Sequence, residues 1–239
     1  MKILAVDSSA KVAAVAVCTR EKVLAQTVLD TGLTHSQTLM PVCAALLQNS
    51  GIDLHEIDAF AVSAGPGSFT GLRIGMAAVK GMAYALDKPC YPVSTLEALA
   101  YNLIGFDGVA CPVMDARRHQ VYNALFSLSR DNPDRLCEDR AISISQLADE
   151  LADIQQTVWL CGDGAQLCYE TMPGRSGNIR LAPAAVRFQK ASGVAAAAFD
   201  KGQAVSAREL IPHYLRLPQA ERERIERLAK EEHSGKDGI

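Results

Sequence analysis

Apolar residues run in short blocks at the start of the chain and predict three strands, at residues 2–7, about 11–18 and about 22–29. The turns between them, Ser8-Ser9-Ala10 and Thr19-Arg20-Glu21, leave room only for antiparallel hairpin connections. Helical spacing takes over after the loop Thr31-Gly32-Leu33-Thr34-His35-Ser36. Leu39, Val42, Cys43, Leu46 and Leu47 fall on one face of a helix over about 36–50, which Gly51 ends. A strand at 58–63, a long helix at about 68–86, a short strand at 90–93 and a helix at 96–103 follow. The order β-β-β-α-β-α-β-α predicts a mixed sheet flanked by helices.

A second run then repeats the form of the first. Val109-Ala110-Cys111-Pro112-Val113-Met114-Asp115 is an apolar strand ending in aspartate, as is Ile3-Leu4-Ala5-Val6-Asp7. Gln120–Ser127 and about 136–142 supply its next strands, 145–153 a helix, and Val158-Trp159-Leu160-Cys161 another strand. After the turn Gly162-Asp163-Gly164 a helix reaches about Thr171, Gly174–Asn178 is a loop, and an alanine-rich helix fills 189–200. This pattern predicts an α/β protein with a first lobe at 1–105, a second at 106–205, and a return segment with a charged helix at 206–239. In that last helix Glu223 and Arg227, and Glu226 and Lys230, are i, i+4 pairs, and only Leu217, Ile225, Leu228 and Ala229 form an apolar stripe.

Composition narrows the function classes. With 49% hydrophobic residues in a chain of 239, a sizeable core is available and a disordered protein is excluded. The net charge of −3 is wrong for a strongly basic nucleic-acid binder, so a nucleic-acid partner is expected to meet its positive field on another molecule. The seven cysteines, at 18, 43, 90, 111, 137, 161 and 168, include no C-x-x-C pair, and several sit in apolar segments, as in Ala16-Val17-Cys18 and Val42-Cys43. Reduced, buried thiols and a cytoplasmic protein are the expectation. Asp7 breaks the only signal-like start, and no apolar run approaches the roughly 20 residues that span a bilayer, so no membrane role is expected.

The densest chemistry lies in Gly65-Pro66-Gly67-Ser68-Phe69-Thr70-Gly71-Leu72-Arg73-Ile74-Gly75, a glycine turn between a strand and a helix. Such a turn is either an anion cradle or a place where another backbone comes close. A phosphate site here lacks the lysine and hydroxyl of G-x-x-x-x-G-K-[ST]. Asp7 and Asp115 end strands, where they either hold Mg²⁺ and activate a hydroxyl or cap the following turn. No two of His35, His55, His119, His213 and His233 lie four apart, so no helical metal pair exists, and neither a metal nor a cofactor is expected. Ser63 lacks the first glycine of a nucleophile elbow. Gly71, Gly75, Ala78 and Met82 fall on one helical stripe, which packs either on the chain's own sheet or on a partner. Asp115-Ala116-Arg117-Arg118-His119-Gln120-Val121-Tyr122 places two arginines and a histidine on one turn, either an anion contact or a solvated turn.

Several segments, in order, resemble the bacterial TsaB (YeaZ) family. They are Ile3–Ser9, Thr34-His35-Ser36-Gln37, the eleven-residue glycine block, Val93-Ser94-Thr95-Leu96, Asp115-Ala116-Arg117, Gly162-Asp163-Gly164-Ala165 and Pro212-His213-Tyr214-Leu215-Arg216. The resemblance implies the two-lobed actin-like ATPase (ASKHA) fold. It also implies a non-catalytic dimerisation subunit in synthesis of tRNA N6-threonylcarbamoyladenosine (t6A37). The implied partners are TsaD, the catalytic paralogue, and TsaE, with tRNA reached through the complex and a homodimer formed when TsaD is absent. In that family the first two helices form the interface, which by position points to Leu39, Met40, Cys43, Gly71, Gly75, Ala78 and Met82. On this view Gly75→Leu spares the fold and blocks docking. Asp7, Ser8, Gly65, Gly67, Ser68 and Asp115 are the candidate vestigial nucleotide-binding set. The alternatives are an actin-like ATPase or kinase and a metalloprotease-like protein.

Overall fold

The computed structural model describes residues 1–128 and 132–216. Strands β1 (Ile3–Asp7), β2 (Ala13–Cys18), β3 (Val23–Leu29), β4 (Ala59–Gly65) and β5 (Cys90–Ser94) form one sheet in the order β3-β2-β1-β4-β5. β1 runs antiparallel to β2 and parallel to β4. Every residue of β1, β2 and β4 is buried, because helices cover both faces of the sheet. On one face lie α1 (His35–Ser50) and α2 (Phe69–Leu86), whose Leu39, Cys43, Met76 and Val79 join Leu4, Val6 and Phe60 in one core.

The second sheet has the same plan. Strands β6 (Gly108–Asp115), β7 (Gln120–Asn123), β8 (Phe126–Leu128), β9 (Asp134–Arg135), β10 (Arg140–Ser143), β11 (Val158–Cys161) and β12 (Ile179–Leu181) contain the path β10-β7-β6-β11-β12, the counterpart of β3-β2-β1-β4-β5. The loose echo between the two aspartate-ended strands is thus a repeat of topology: β6 also has an antiparallel neighbour on one side and a parallel one on the other. Helices α4 (Ile144–Ala152) and α5 (Ala165–Thr171) cover one face through Leu147, Leu151 and Cys168. Helix α3 (Thr95–Tyr101) lies between the sheets. Its Leu96 and Leu99 pack on the second-lobe core with Phe126, while Ala98 and Tyr101 pack on the first.

Three sequence expectations are corrected. The single strand expected over Gln120–Ser127 is two, β7 and β8, because the buried Asn123 amide turns inward to donate to the carbonyls of Pro112 and Ala124. The stretch beyond Asn178 contains β12 and the short helix α6 (Ala184–Arg187). The alanine-rich helix, α7 (Ala191–Lys201), does not close the second lobe. Ala191, Val194, Ala195 and Ala198 pack against Ile3, Ala5, Ala14 and Ala61, covering the face of the first sheet opposite α1 and α2. Its small side chains let the helix lie close on the alanines of β1, β2 and β4. The chain then bridges Val205 to Cys90 at the sheet edge. The second lobe therefore ends before α7, not at residue 205. The charged helix expected at 218–232 lies outside the described residues.

Candidate functional site

A cleft of about 580 Å³ opens where the two aspartate-ended strands face each other across the lobes. Its walls include Lys11, Gly67, Ser68, Phe69, Asp115, Arg117, Asp163, Tyr214 and Arg216. Of the candidate nucleotide-binding set, Gly67, Ser68 and Asp115 reach this cleft, whereas Asp7, Ser8 and Gly65 lie behind its wall.

Asp7 is sealed by its own turn. Its Oδ1 accepts hydrogen bonds from the Ser9 backbone N–H at 2.9 Å and the Ser9 hydroxyl at 2.6 Å, and its Oδ2 accepts from the Ser63 hydroxyl at 2.6 Å. Burial pushes its pKa above the ordinary carboxylate value, and the hydrogen bonds from Ser63 and Ser9 oppose that rise in part. With both oxygens so engaged, Asp7 acts as the cap of the Ser8–Ala10 turn. A raised folded-state pKa means stability that is full below the ordinary carboxylate value and is lost as pH rises through the folded one. Asp7→Asn should remove this loss, since Ser63 can reverse its hydrogen bond to accept from the new amide. The difference in melting temperature between variant and parent should favour the variant at pH 7 and shrink toward pH 4. A constant difference across that range would refute the assignment.

The glycine turn is filled by the chain itself. Ser68 N–H donates to the Ser9 carbonyl at 2.7 Å, and the Ser68 hydroxyl caps α2 by accepting from Gly71 N–H at 3.3 Å. A methyl group at Gly65 would overlap the His213 carbonyl, at Gly67 the Ser9 carbonyl, and at Gly71 the Ser8 carbonyl. A side chain at Gly75 would overlap the Ser8 hydroxyl. The Ser8 hydroxyl donates to the Gly71 carbonyl at 2.8 Å, so the first turn of the chain is docked into the glycine face of α2. Of the readings the glycines left open, the close approach of another backbone matches this packing, and that backbone belongs to the chain itself rather than to a partner.

The expected interface set is corrected accordingly. Leu39 and Cys43 are 1% exposed and Met82 9%, and Gly71 and Gly75 are buried; all five pack within the chain. Met40, 48% exposed, does face outward, and Ala78 is half-buried. The periodicity identified the apolar faces correctly, but those faces serve this chain's core. The outward faces are Met40, Pro41, Ala44 and Ala45 on α1, and Ala77, Gly81, Tyr84 and Ala85 on α2. A methyl group at Gly81 meets nothing within 4 Å.

Residues His213–Arg216 form a wall of the cleft, to which the sequence alone assigns no role. His213 N–H donates to the Ala64 carbonyl at 2.7 Å, the rings of Phe69 and Tyr214 lie 4.7 Å apart, and Arg216 Nη1 donates to the Ala116 carbonyl at 3.1 Å. The segment ties the glycine turn of one lobe to the aspartate-ended strand of the other. Across the cleft, burial and the nearby Asp115 push Asp163 up to about 6. His35 stands apart from the other histidines, with Nε2 2.7 Å from the Ala10 carbonyl. Among the described residues no three His, Cys, Asp or Glu side chains converge as a metal site would require. All seven cysteines are unpaired, and burial pushes the Cys18, Cys43 and Cys90 thiols up to about 11. No helix among the described residues is long and apolar enough to cross a membrane.

Residues 29–229 match the family model described as TsaD, tRNA N6-adenosine threonylcarbamoyltransferase. Over 229 residues the chain is 32% identical to the tRNA threonylcarbamoyladenosine biosynthesis protein TsaB of Bacillus subtilis, covering 95% of this chain and 99% of the relative. The chain belongs to the TsaB family. Escherichia coli TsaB is 29% identical over 222 residues, covering 90% of this chain and 95% of that one. The TsaB-type architecture recurs in YeaZ from Pseudomonas aeruginosa, with a TM-score of 0.76 and 27% identity over 90% of this chain and 99% of that one. More distantly, the activator of the 2-hydroxyisocaproyl-CoA dehydratase from Clostridium difficile has a TM-score of 0.50 and 11% identity, over 87% of this chain and 96% of that one. That likeness concerns the actin-like fold alone, which this TsaB-family chain shares.

Proposed function

We propose that this chain is the non-catalytic subunit of a t6A-forming complex, which docks with TsaD and activates it. The observation that carries this reading is the match to a TsaB protein along nearly the full length of both chains. The sealed Asp7 supports the absence of independent turnover, because both its carboxylate oxygens are taken up by Ser9 and Ser63 and it lies behind the cleft wall. Docking uses the outward faces of α1 and α2, which lie side by side on one sheet face. Two helices from each subunit then make a four-helix packing. The same apolar surface accounts for a homodimer when TsaD is absent. TsaE joins the pair, and tRNA is reached through the complex.

The test is reconstitution of threonylcarbamoyl transfer from purified components, with and without this chain. Product formation should fall at least tenfold on omission, and the chain alone should hydrolyse no ATP. Transfer at an undiminished rate without it would end this reading. A robust ATPase rate that Asp7→Ala abolishes would instead favour the actin-like ATPase.

A further inference from the structure

Residues 206–211 lie along the flank of α2, and their spacing divides them into two sides. Glu209 N–H and Leu210 N–H both donate to the Ser206 carbonyl, at 3.1 and 3.2 Å, which winds the stretch into a turn. Ala207 and Leu210, three apart, go inward and join the core that holds Val79 and Met82. Arg208 and Ile211, also three apart, are left outside. Ile211 is 69% exposed and Tyr84 of α2 65%, more than any other large apolar side chain among the described residues. The two are brought to one strip from distant parts of the chain. Lys80, one turn before Tyr84, donates from Nζ to the carbonyls of Arg208 and Leu210 at 3.3 and 3.0 Å. The Arg208 guanidinium lies 5.9 Å from the centre of the Tyr84 ring. Just past Ile211, His213 N–H is fixed on the Ala64 carbonyl. Ile211 is thus held out on a backbone tied at both sides, so covering it would cost little ordering entropy.

This strip is the margin of a larger face. Helix α1 contains no Asp, Glu, Lys or Arg in 16 residues, and α2 contains only Arg73 and Lys80 in 18. About one residue in four is charged in an average domain, and depletion of charge marks the core of a protein interface. Charge returns at the margin. Arg208 makes no ion pair among the described residues. The nearest carboxylates in the chain are placed otherwise: Glu209 accepts from Ser206 N–H and hydroxyl at 3.0 and 2.8 Å, and Asp87 ends α2 as its left-handed cap. Arg208 is therefore a single point of contact rather than a field of charge.

We propose that the strip of Tyr84, Arg208 and Ile211 extends the docking surface beyond α1 and α2, and that its occupant is TsaD. An apolar side chain of TsaD lies against Tyr84 and Ile211, with a carboxylate at Arg208. The proposal rests on the functional reading above, and continuity supports it: Tyr84 follows Ala77 and Gly81 along the outward face of α2 that this reading gives to TsaD. Charge complementarity supports it too. A second copy of this chain brings no carboxylate on its α1 or α2 for Arg208 to meet, so the strip favours a different chain over self-association. A few aromatic and apolar anchors of this kind carry most of the binding energy of an interface.

The experiment measures the affinity of the full chain for TsaD by sedimentation, with self-association of the chain measured alongside. Ile211→Ser and Tyr84→Ser, on separate elements, are compared with parent protein, and Leu136→Ser, 55% exposed in the second lobe, is the control. Thermal melting verifies that each variant is folded. Ile211→Ser and Tyr84→Ser should each weaken TsaD binding about tenfold, and Leu136→Ser should leave it unchanged. Arg208→Glu should weaken binding more at low than at high KCl, as loss of a charged contact at the rim does. Parent affinity in a folded Ile211→Ser would overturn the proposal even if Tyr84→Ser binds weakly, since the surface would then stop at α2. A loss seen only in self-association would overturn it as well and give the strip to a second copy. Failure of the parent chain to bind TsaD would end the functional reading together with this one, whereas parent binding that Ile211→Ser leaves intact ends this one alone.

Discussion

Gly71→Ala should destabilise the chain by about 1–3 kcal/mol, whereas Gly81→Ala should stabilise it by about 0.5–1 kcal/mol. Both glycines lie in α2, and alanine is the better helix former at either site by about 1 kcal/mol. The opposite signs come from what each new methyl group meets. At Gly71 it overlaps the Ser8 backbone carbonyl, which is held in place by the buried turn and cannot rotate away. At Gly81 it enters open space. Urea titration of both variants would show the difference. Equal stability of the two would mean that Ser8 and α2 are not in close contact. The same reasoning reverses the expectation for Gly75→Leu, which should disrupt the monomer rather than spare it.

Gly81→Trp, by contrast, should leave the monomer folded and weaken docking with TsaD by about 2 kcal/mol or more, roughly thirtyfold in affinity. Gly81 sits between Ala77 and Ala85 on the outward stripe of α2, beside the 65% exposed Tyr84. A small-residue stripe permits close approach of a partner helix, and an indole placed there holds the axes apart. Sedimentation of the chain with TsaD would measure the loss, and transfer activity should fall in parallel at limiting concentrations. Unchanged affinity with a folded variant would move the interface off α2.

Much of the fold was legible because its signals are local. The strands ending in Asp7 and Asp115 stand out as apolar runs, and Leu39, Cys43 and Leu46 mark the buried face of α1 by spacing alone. What failed was knowing what each face touches. A glycine stripe shows that something approaches α2, but Ser8 lies more than sixty residues upstream of Gly71 and nothing in the spacing names it. The same holds for α7, whose alanines would suit either sheet. At the cleft, the Pro212–Arg216 segment carries no periodic signal, since its role depends on the Ala64 and Ala116 carbonyls. The Arg117–His119 turn was visible as a cluster of charge, while its left-handed backbone was not, because none of the three residues is a glycine.

The placement of α7 has a consequence for biosynthesis. One face of the first sheet is covered by a helix that ends at Lys201, so that sheet stays half-uncovered while the whole second lobe is being translated. At about 5–20 residues per second, the interval lasts on the order of 5–20 s. During it Ala5, Ala14 and Ala61 lack their native cover, a window in which a nascent-chain chaperone would find its substrate. A ribosome stalled after the second lobe should hold a first lobe that proteases still cut, and one stalled well past Lys201 should not.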